Sequence, residues 1–128
     1  MIAYLIAQAA ALAPLPLPDA APSAAVASEI ASIEQAMENW QGGVYKKDGQ
    51  LACRISRSSG DEAIDAIQCG AMLRCYAPVA ARLDAIAALD VDRDERARQM
   101  RPVVATTRPC IAQASKAGVR MLAEQRAG

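Results

Sequence analysis

Residues 51–75, LACRISRSSGDEAIDAIQCGAMLRC, contain three of the four cysteines and join an alternating run to a helical one. In the first run, Leu51, Cys53 and Ile55 alternate with other residues, which is typical of a strand with one buried face. The Asp48-Gly49 pair just before this run predicts a tight turn between two antiparallel strands. We therefore expect a β-hairpin that leads directly into a helix.

The segment SSGDE, residues 58–62, predicts how that helix begins. Ser59 stands three residues before Glu62, which is the spacing of a capping box, and Asp61 adds negative charge at the positive end of the helix dipole. We expect a helix from about Asp61 to Tyr76 and a special backbone angle at Gly60. A Ser-Ser-Gly turn that holds a phosphate is disfavoured, because the acids that follow would repel the anion.

Other parts of the chain also show helical periodicity. A first helix is expected from Pro22 to the Gly42-Gly43 pair, which would end it in a left-handed conformation. A further stripe follows Pro78 and is succeeded by a charged run. Pro102 should break or kink what comes after that run, and a last helix should open at Pro109. The apolar stripe of the first helix comprises Val26, Ile30, Ile33, Met37 and Trp40. The fold class predicted is a mostly helical α+β domain with one β-hairpin and about four helices.

Four cysteines allow more than one pairing. Cys69 and Cys75 would rise about 9 Å along one helix, beyond the ~7 Å limit between the Cα atoms of a disulfide. The natural solution pairs Cys53 with Cys69 and Cys75 with Cys110. The crossed pairing of Cys53 with Cys75 and Cys69 with Cys110 stays open, since sequence does not determine connectivity.

Metal binding and redox catalysis are weaker interpretations of the cysteines. Zinc sites generally contain cysteine pairs two to four residues apart, whereas the nearest pair here is six apart. No Cys-x-x-Cys is present for dithiol chemistry. We expect no metal or other cofactor, and keep a structural zinc-binding cytoplasmic protein as an alternative.

The first 27 residues predict an exported protein. Residues 1–27 are apolar and rich in Ala and Pro, which favours a signal peptide and leader ahead of a single domain, residues 28–128. Cleavage after Ala9 or after Ala27 fits, and the second is preferred because it should leave the folded part intact. The prolines at 14, 16 and 18 interrupt the apolar run, so no stable membrane span is expected once the chain is processed. A Pro/Ala tail on a cytoplasmic protein is the alternative.

Charge and composition exclude several functions. The 14 basic and 14 acidic residues leave no basic excess for nucleic acid. The absence of histidine excludes Ser-His-Asp and Cys-His catalysis. Asp61, Glu62 and Asp65 share one helix, but capping and solvation explain them better than carboxylate catalysis. We expect a protein that is not an enzyme.

Residues 48–78 also resemble a known family. The run from Gly49 through Cys53, Ser58-Ser59-Gly60, Cys69 and MLRCYAP resembles the first strand, turn and helix of the C-terminal domain of TonB-type energy transducers. Residues 79–126 depart from that family because they show helical periodicity where a second hairpin is expected. The layout is also similar to short exported alphaproteobacterial proteins, a resemblance that implies no activity.

These observations predict a periplasmic or secreted interaction or accessory module, with an envelope protein as its partner and no nucleic acid. The alternative implied by the resemblance is a diverged, truncated TonB-like binding domain. Such a domain would expose an edge of the hairpin, residues 44–57, for strand addition. Cover of that edge by the first or last helix would count against it.

Overall fold

The computed structural model describes residues 21–128 as one hairpin and a set of helices. The elements are α1 (Ala24–Met37), β1 (Gln41–Lys47), β2 (Gln50–Arg57), α2 (Glu62–Tyr76), α3 (Ala80–Ala87), α4 (Arg93–Ala105) and α5 (Arg108–Ala127). A single 3-10 turn, Ala77–Val79, joins α2 to α3 without a loop, so the five α-helices form four helical segments. The predicted mostly helical α+β fold is confirmed. Within residues 21–128, no helix is long and apolar enough to cross a membrane.

Helix α1 begins before the domain boundary expected from the sequence. The Ser23 side chain caps it, accepting a hydrogen bond from the Val26 N–H at 3.3 Å. The boundary at residue 28 and the preferred cleavage after Ala27 therefore lie inside this helix. Cleavage there would remove the cap and the first turn, so it would not leave the folded part intact. The alternative site after Ala9, and the leader over residues 1–20, lie outside the described residues.

The core lies where α1, α2 and α5 meet. Its fully buried members are Ile33, Ile64, Val119 and Ala123, and partly buried apolar residues of α1 and α5 surround them. Four of the five residues in the predicted α1 stripe belong to this cluster: Val26, Ile30, Ile33 and Met37. Burial of each isoleucine side chain stabilises the fold by ~1.5–3 kcal/mol. The α1 stripe therefore holds this helix against α5, its main neighbour.

The end of α1 differs from the expectation. The helix ends at Met37 with Glu38 as its C-cap, so Trp40 lies beyond it and Gly42 belongs to β1. Neither Gly42 nor Gly43 has a positive φ. A Cβ at Gly42 would lie only 2.5 Å from two atoms of the Trp40 ring. Gly42 is thus explained by the close approach of the indole and not by a helix stop.

The hairpin matches its prediction closely. Asp48 and Gly49 have φ of 51° and 77°, the left-handed conformations that a tight turn between twisted strands requires. The strands pair antiparallel with Val44 opposite Cys53. A register shift falls between Gln41 and Gly42, at the start of β1.

Pro102 lies inside the last turn of α4, close to the break that was expected after the charged run. Helix α4 continues through it and ends one turn later at Ala105. At that end the hydroxyls of Thr106 and Thr107 donate to the carbonyls of Val103 and Val104, at 2.6 and 2.7 Å. The same two carbonyls also accept the backbone N–H groups of Thr106 and Thr107. The Val104 bond gives the Thr107 hydroxyl a partner, which explains how this polar residue is buried.

Candidate functional site

The hairpin is fixed to the helical core by one disulfide. Cys53 on β2 is bonded to Cys69 on α2, with Cα atoms 5.7 Å apart. Val44 lies opposite Cys53 in the register, and side chains alternate between the two faces of a sheet. The Val44 and Cys53 face therefore lies against α2, and the other face points away from that helix.

The second disulfide connects α2 to α5. Cys75 is bonded to Cys110, with Cα atoms 5.8 Å apart, and no cysteine is free. The natural pairing expected from the sequence is confirmed, and the crossed pairing is excluded. While these bonds are intact, no thiolate is left to bind zinc. Two structural disulfides indicate an oxidising, extracytoplasmic environment.

The junction between β2 and α2 does not form the predicted capping box. The N-cap is Asp61, whose carboxylate accepts hydrogen bonds from the N–H groups of Ala63 at 2.9 Å and Ile64 at 3.4 Å. Glu62 is the first residue of the helix, not its third, and is exposed. The reason is Gly60, whose φ of 91° turns the chain so that the helix begins two residues later than Ser59 requires. The special backbone angle at Gly60 is confirmed.

Ser59 instead helps to hold the carboxylate of Asp65. Both the N–H and the hydroxyl of Ser59 donate to Oδ1, at 2.9 and 2.7 Å, and the Ser58 hydroxyl donates to Oδ2. The Ser58 bond, followed by the Ser59 bonds, lowers the pKa of Asp65 below its ordinary value. Asp65 thereby connects the turn after β2 to the first turn of α2.

Asp61 also bonds to the far end of the chain. Arg126, in the last turn of α5, donates from Nη2 to Oδ2 of Asp61 at 2.6 Å. This bond is the main cause that lowers the pKa of Asp61. The two aspartates that the sequence offered for catalysis thus have lowered pKa values and full hydrogen-bonding roles in the fold. A catalytic acid in a concave site would need a raised pKa.

The outward face of the hairpin carries an aromatic and a basic side chain in contact. The Arg54 guanidinium lies 4.6 Å from the centre of the Tyr45 ring, a cation-π geometry. Basic residues outnumber acidic ones on the two strands and their turn by four to one. They are Lys46, Lys47, Arg54 and Arg57, with Asp48 as the acid. The hairpin therefore presents a basic surface.

The second half of β2 is the longest exposed run of residues within either strand of the hairpin. The sheet of the described residues has two strands, so each strand has one edge without a β partner. Residues 54–57 of β2 are exposed. On the β1 side, Lys46 reaches Asp84 of α3, with Nζ and Oδ2 3.1 Å apart. Helix α2 is the main helix against the hairpin, whereas α1 and α5 pack chiefly with other helices. Among the described residues, neither α1 nor α5 is one of the main contacts of the two strands.

Comparison with known proteins adds no relative. No family model matches the chain, and neither a curated protein nor a solved structure is significantly similar to it. The fold defines the class of the protein as a small α+β domain held by two disulfides.

Proposed function

We propose that this protein is an exported, non-enzymatic interaction module of the bacterial periplasm, and that it presents its hairpin to an envelope protein. The observation that carries the proposal is the pairing of all four cysteines in two disulfides. Both bonds start from α2, one reaching the hairpin and the other reaching α5. A domain with a core of this size gains rigidity from such links, which suits presentation of a fixed surface more than a moving active site.

A second candidate, implied by the resemblance to TonB-type domains, is partner binding by strand addition at β2. The observation that favours it is the exposed edge over residues 54–57. An extended segment could bond to the backbone of this edge, and Arg54 and Arg57 would favour an acidic segment. Natural proteins usually protect long edges, and the charges at this edge also oppose unselective pairing between sheets.

Site-specific photocrosslinking tests the proposal in intact cells. A photoreactive residue replaces Ser56 on β2, and the matched control replaces Gln113, which is exposed on α5. We expect a discrete adduct with an envelope protein from position 56 and none from position 113. Adducts of equal strength at both positions, or none at position 56, would contradict the proposal.

Hydrogen exchange distinguishes strand addition from other uses of the hairpin. Once the crosslinked partner is purified, its binding by strand addition should slow exchange at alternating β2 amides, those that point away from β1. If exchange is unchanged at the edge amides of β2 and slows only at amides on which the partner's contacts with the outward face bear, strand addition is excluded. The interaction module then remains the proposed function.

A further inference from the structure

The face of the hairpin that points away from α2 is positively charged and open at Gly43. Because Cys53 and Val44 face α2, the residues that alternate with them along each strand point outward. These outward residues are Gly43, Tyr45, Lys47, Gln50, Ala52, Arg54 and Ser56. Two of them are cations and none is an acid. A Cβ at Gly43 would have no atom within 4 Å, so nothing in the described chain covers that part of the face.

Arg54 is positioned by an aromatic ring and has no acid as a partner. Its guanidinium lies over the Tyr45 ring, 4.6 Å from the ring centre, and this contact restrains a long side chain. Arg54 is exposed and makes no salt bridge within residues 21–128. The N–H groups along the edge of a guanidinium match the two oxygens of a carboxylate. Tyr45 thus presents Arg54 in a form suited to binding a carboxylate.

Gly43, directly opposite Arg54, has no explanation within the fold. Glycine in the interior of a strand weakens it and often marks a site where a ligand or another backbone approaches closely. Gly42 is explained by the Trp40 ring, but Gly43 has neither a close neighbour nor a positive φ. The missing side chain therefore leaves room beside the Arg54 guanidinium for a group that approaches from outside.

A second cation lies one step further along the same face. Lys47 follows Tyr45 by two residues, so their Cα atoms are about 7 Å apart. Alternate side chains of any extended segment have the same spacing and point to one side. Lys47 is exposed and makes no salt bridge within the described part of the chain, whereas Lys46 is paired with Asp84 of α3.

We infer that the outward face binds an extended acidic segment of the partner protein, with one carboxylate on Arg54 beside Gly43 and the next on Lys47. This inference rests on the proposed function and names the chemistry that the partner supplies. Two cations are too few for an anionic membrane surface, which is typically bound by clusters of about four to eight Lys or Arg residues. The contacts are made by side chains across the face, so they differ from backbone pairing at the β2 edge.

NMR titration of the oxidised protein with a capped peptide of alternating serine and glutamate tests this chemistry. We expect the amide signals of Gly43, Tyr45 and Arg54 to shift, and no such shifts with a peptide of alternating serine and lysine. Binding should weaken as salt is added, because the charges are exposed. No shift at these residues with the acidic peptide would overturn the inference. Binding to vesicles of phosphatidylcholine and phosphatidylglycerol, without binding to the peptide, would also overturn it.

Variants of the two side chains test whether the face binds as described. Arg54→Gln should raise the Kd of the acidic peptide roughly fivefold, the upper range for an exposed ion pair. Arg101→Gln on the exposed face of α4 is the matched control and should leave the Kd unchanged. Tyr45→Phe should bind as the native chain does, since the ring is kept, whereas Tyr45→Ala should bind more weakly although Arg54 remains. Equal Kd values for Arg54→Gln and the native chain would contradict the inference.

Photocrosslinking in cells separates this inference from the proposed function. With the photoreactive residue at position 56, the adduct should be lost when Arg54→Glu and Lys47→Glu are combined. If the adduct forms equally well in that variant, recognition of an acidic segment is excluded and the interaction module stands. If the chain without these two changes gives no adduct, the proposed function itself fails.

Discussion

Arg126 in the last turn of α5 is bonded to Asp61, the N-cap of α2, with Nη2 and Oδ2 2.6 Å apart. The bond brings together residues 65 positions apart in the chain. Asp61 therefore serves two elements, since the same carboxylate accepts from the first N–H groups of α2. With the Cys75–Cys110 disulfide at the other end, α2 and α5 are connected at both ends.

Loss of Asp61 should destabilise the protein more than loss of Arg126. Asp61→Ala removes the cap of α2 and the partner of Arg126 together, whereas Arg126→Gln leaves the cap intact. Because both side chains are about one-third exposed, water compensates for part of the lost ion pair, and Arg126→Gln should have a small effect. Urea denaturation of the two variants measures which of them has the lower free energy of unfolding. Equal free energies of unfolding would show that the cap contributes nothing.

Stability should decrease in acid through Asp65. Its pKa in the folded protein lies below the ordinary value of 3.8, because three hydrogen bonds from Ser58 and Ser59 favour the charged form. A group with a lowered folded pKa contributes stability above its unfolded pKa and loses it as pH falls through the folded value. Asp65→Asn should therefore be less stable than the native chain near neutral pH.

The difference between Asp65→Asn and the native chain should narrow below pH 3.8, as the native carboxyl becomes protonated. Thermal melts across this range measure it. Asp90→Asn is the control, since Asp90 is exposed and makes no hydrogen bond within the described residues. A difference between Asp65→Asn and the native chain that is constant with pH would contradict the role assigned to the carboxylate.

The two disulfides should act as independent units. Cys53→Ser and Cys69→Ser should each lower the free energy of unfolding by ~2–4 kcal/mol, and the double variant should lose no more than one of them. Cys53→Ser combined with Cys110→Ser should instead lose about the sum, since two different bonds are broken. Guanidinium denaturation measures the free energy of unfolding of every variant. If the Cys53→Ser, Cys69→Ser double variant lost as much stability as the two single variants together, the pairing would be contradicted.

Gly70 of α2 and Gly118 of α5 both lie where these helices pack, but replacing each by alanine should change the stability in opposite directions. Gly118→Ala should destabilise, because the new methyl group would lie 2.8 Å from Ile67 Cγ2. At Gly70 the new methyl group would have no atom within 4 Å, so Gly70→Ala should stabilise the protein by about 0.8–1 kcal/mol. Thermal melts at low protein concentration compare them. Destabilisation by both would show that Gly70 has a packing role that its open surroundings do not reveal.

A chain that begins at Ser28 should be less stable than one that begins at Ala10. It lacks the Ser23 cap, which contributes roughly 1 kcal/mol in comparable helices, and it lacks Val26, which packs on the core. We therefore expect the mature protein to begin at Ala10, which keeps α1 whole. N-terminal sequencing of the exported protein decides between the two starts, and Ser28 as the mature start would contradict this expectation.

Local patterns predicted much of this fold. The Asp48-Gly49 turn, the α1 stripe and the extent of α2 follow from periodicity and turn chemistry, which act over a few residues. The distance between Cys69 and Cys75 along one helix excluded a bond between them, and the structure decided between the two pairings that this left open. These inferences needed no knowledge of how the helices pack.

The failures concern residues whose roles depend on how the chain turns or packs in space and not on their spacing in the sequence. Ser59 matched a capping box, but Gly60 turns the chain and Asp61 becomes the cap. Gly42 matched a helix stop, but its actual neighbour is the Trp40 ring. The Arg126–Asp61 bond has no local signature, since it depends on how α5 lies along α2.

The most direct test of the central claim is the intact mass of the protein from a periplasmic extract, before and after reduction with alkylation under denaturing conditions. The account predicts a chain shortened at its N-terminus that gains four alkyl groups only after reduction. Peptide mapping should then recover Cys53 linked to Cys69 and Cys75 linked to Cys110. A full-length cytoplasmic protein with four thiols that alkylate without reduction would contradict both export and the disulfide-held module.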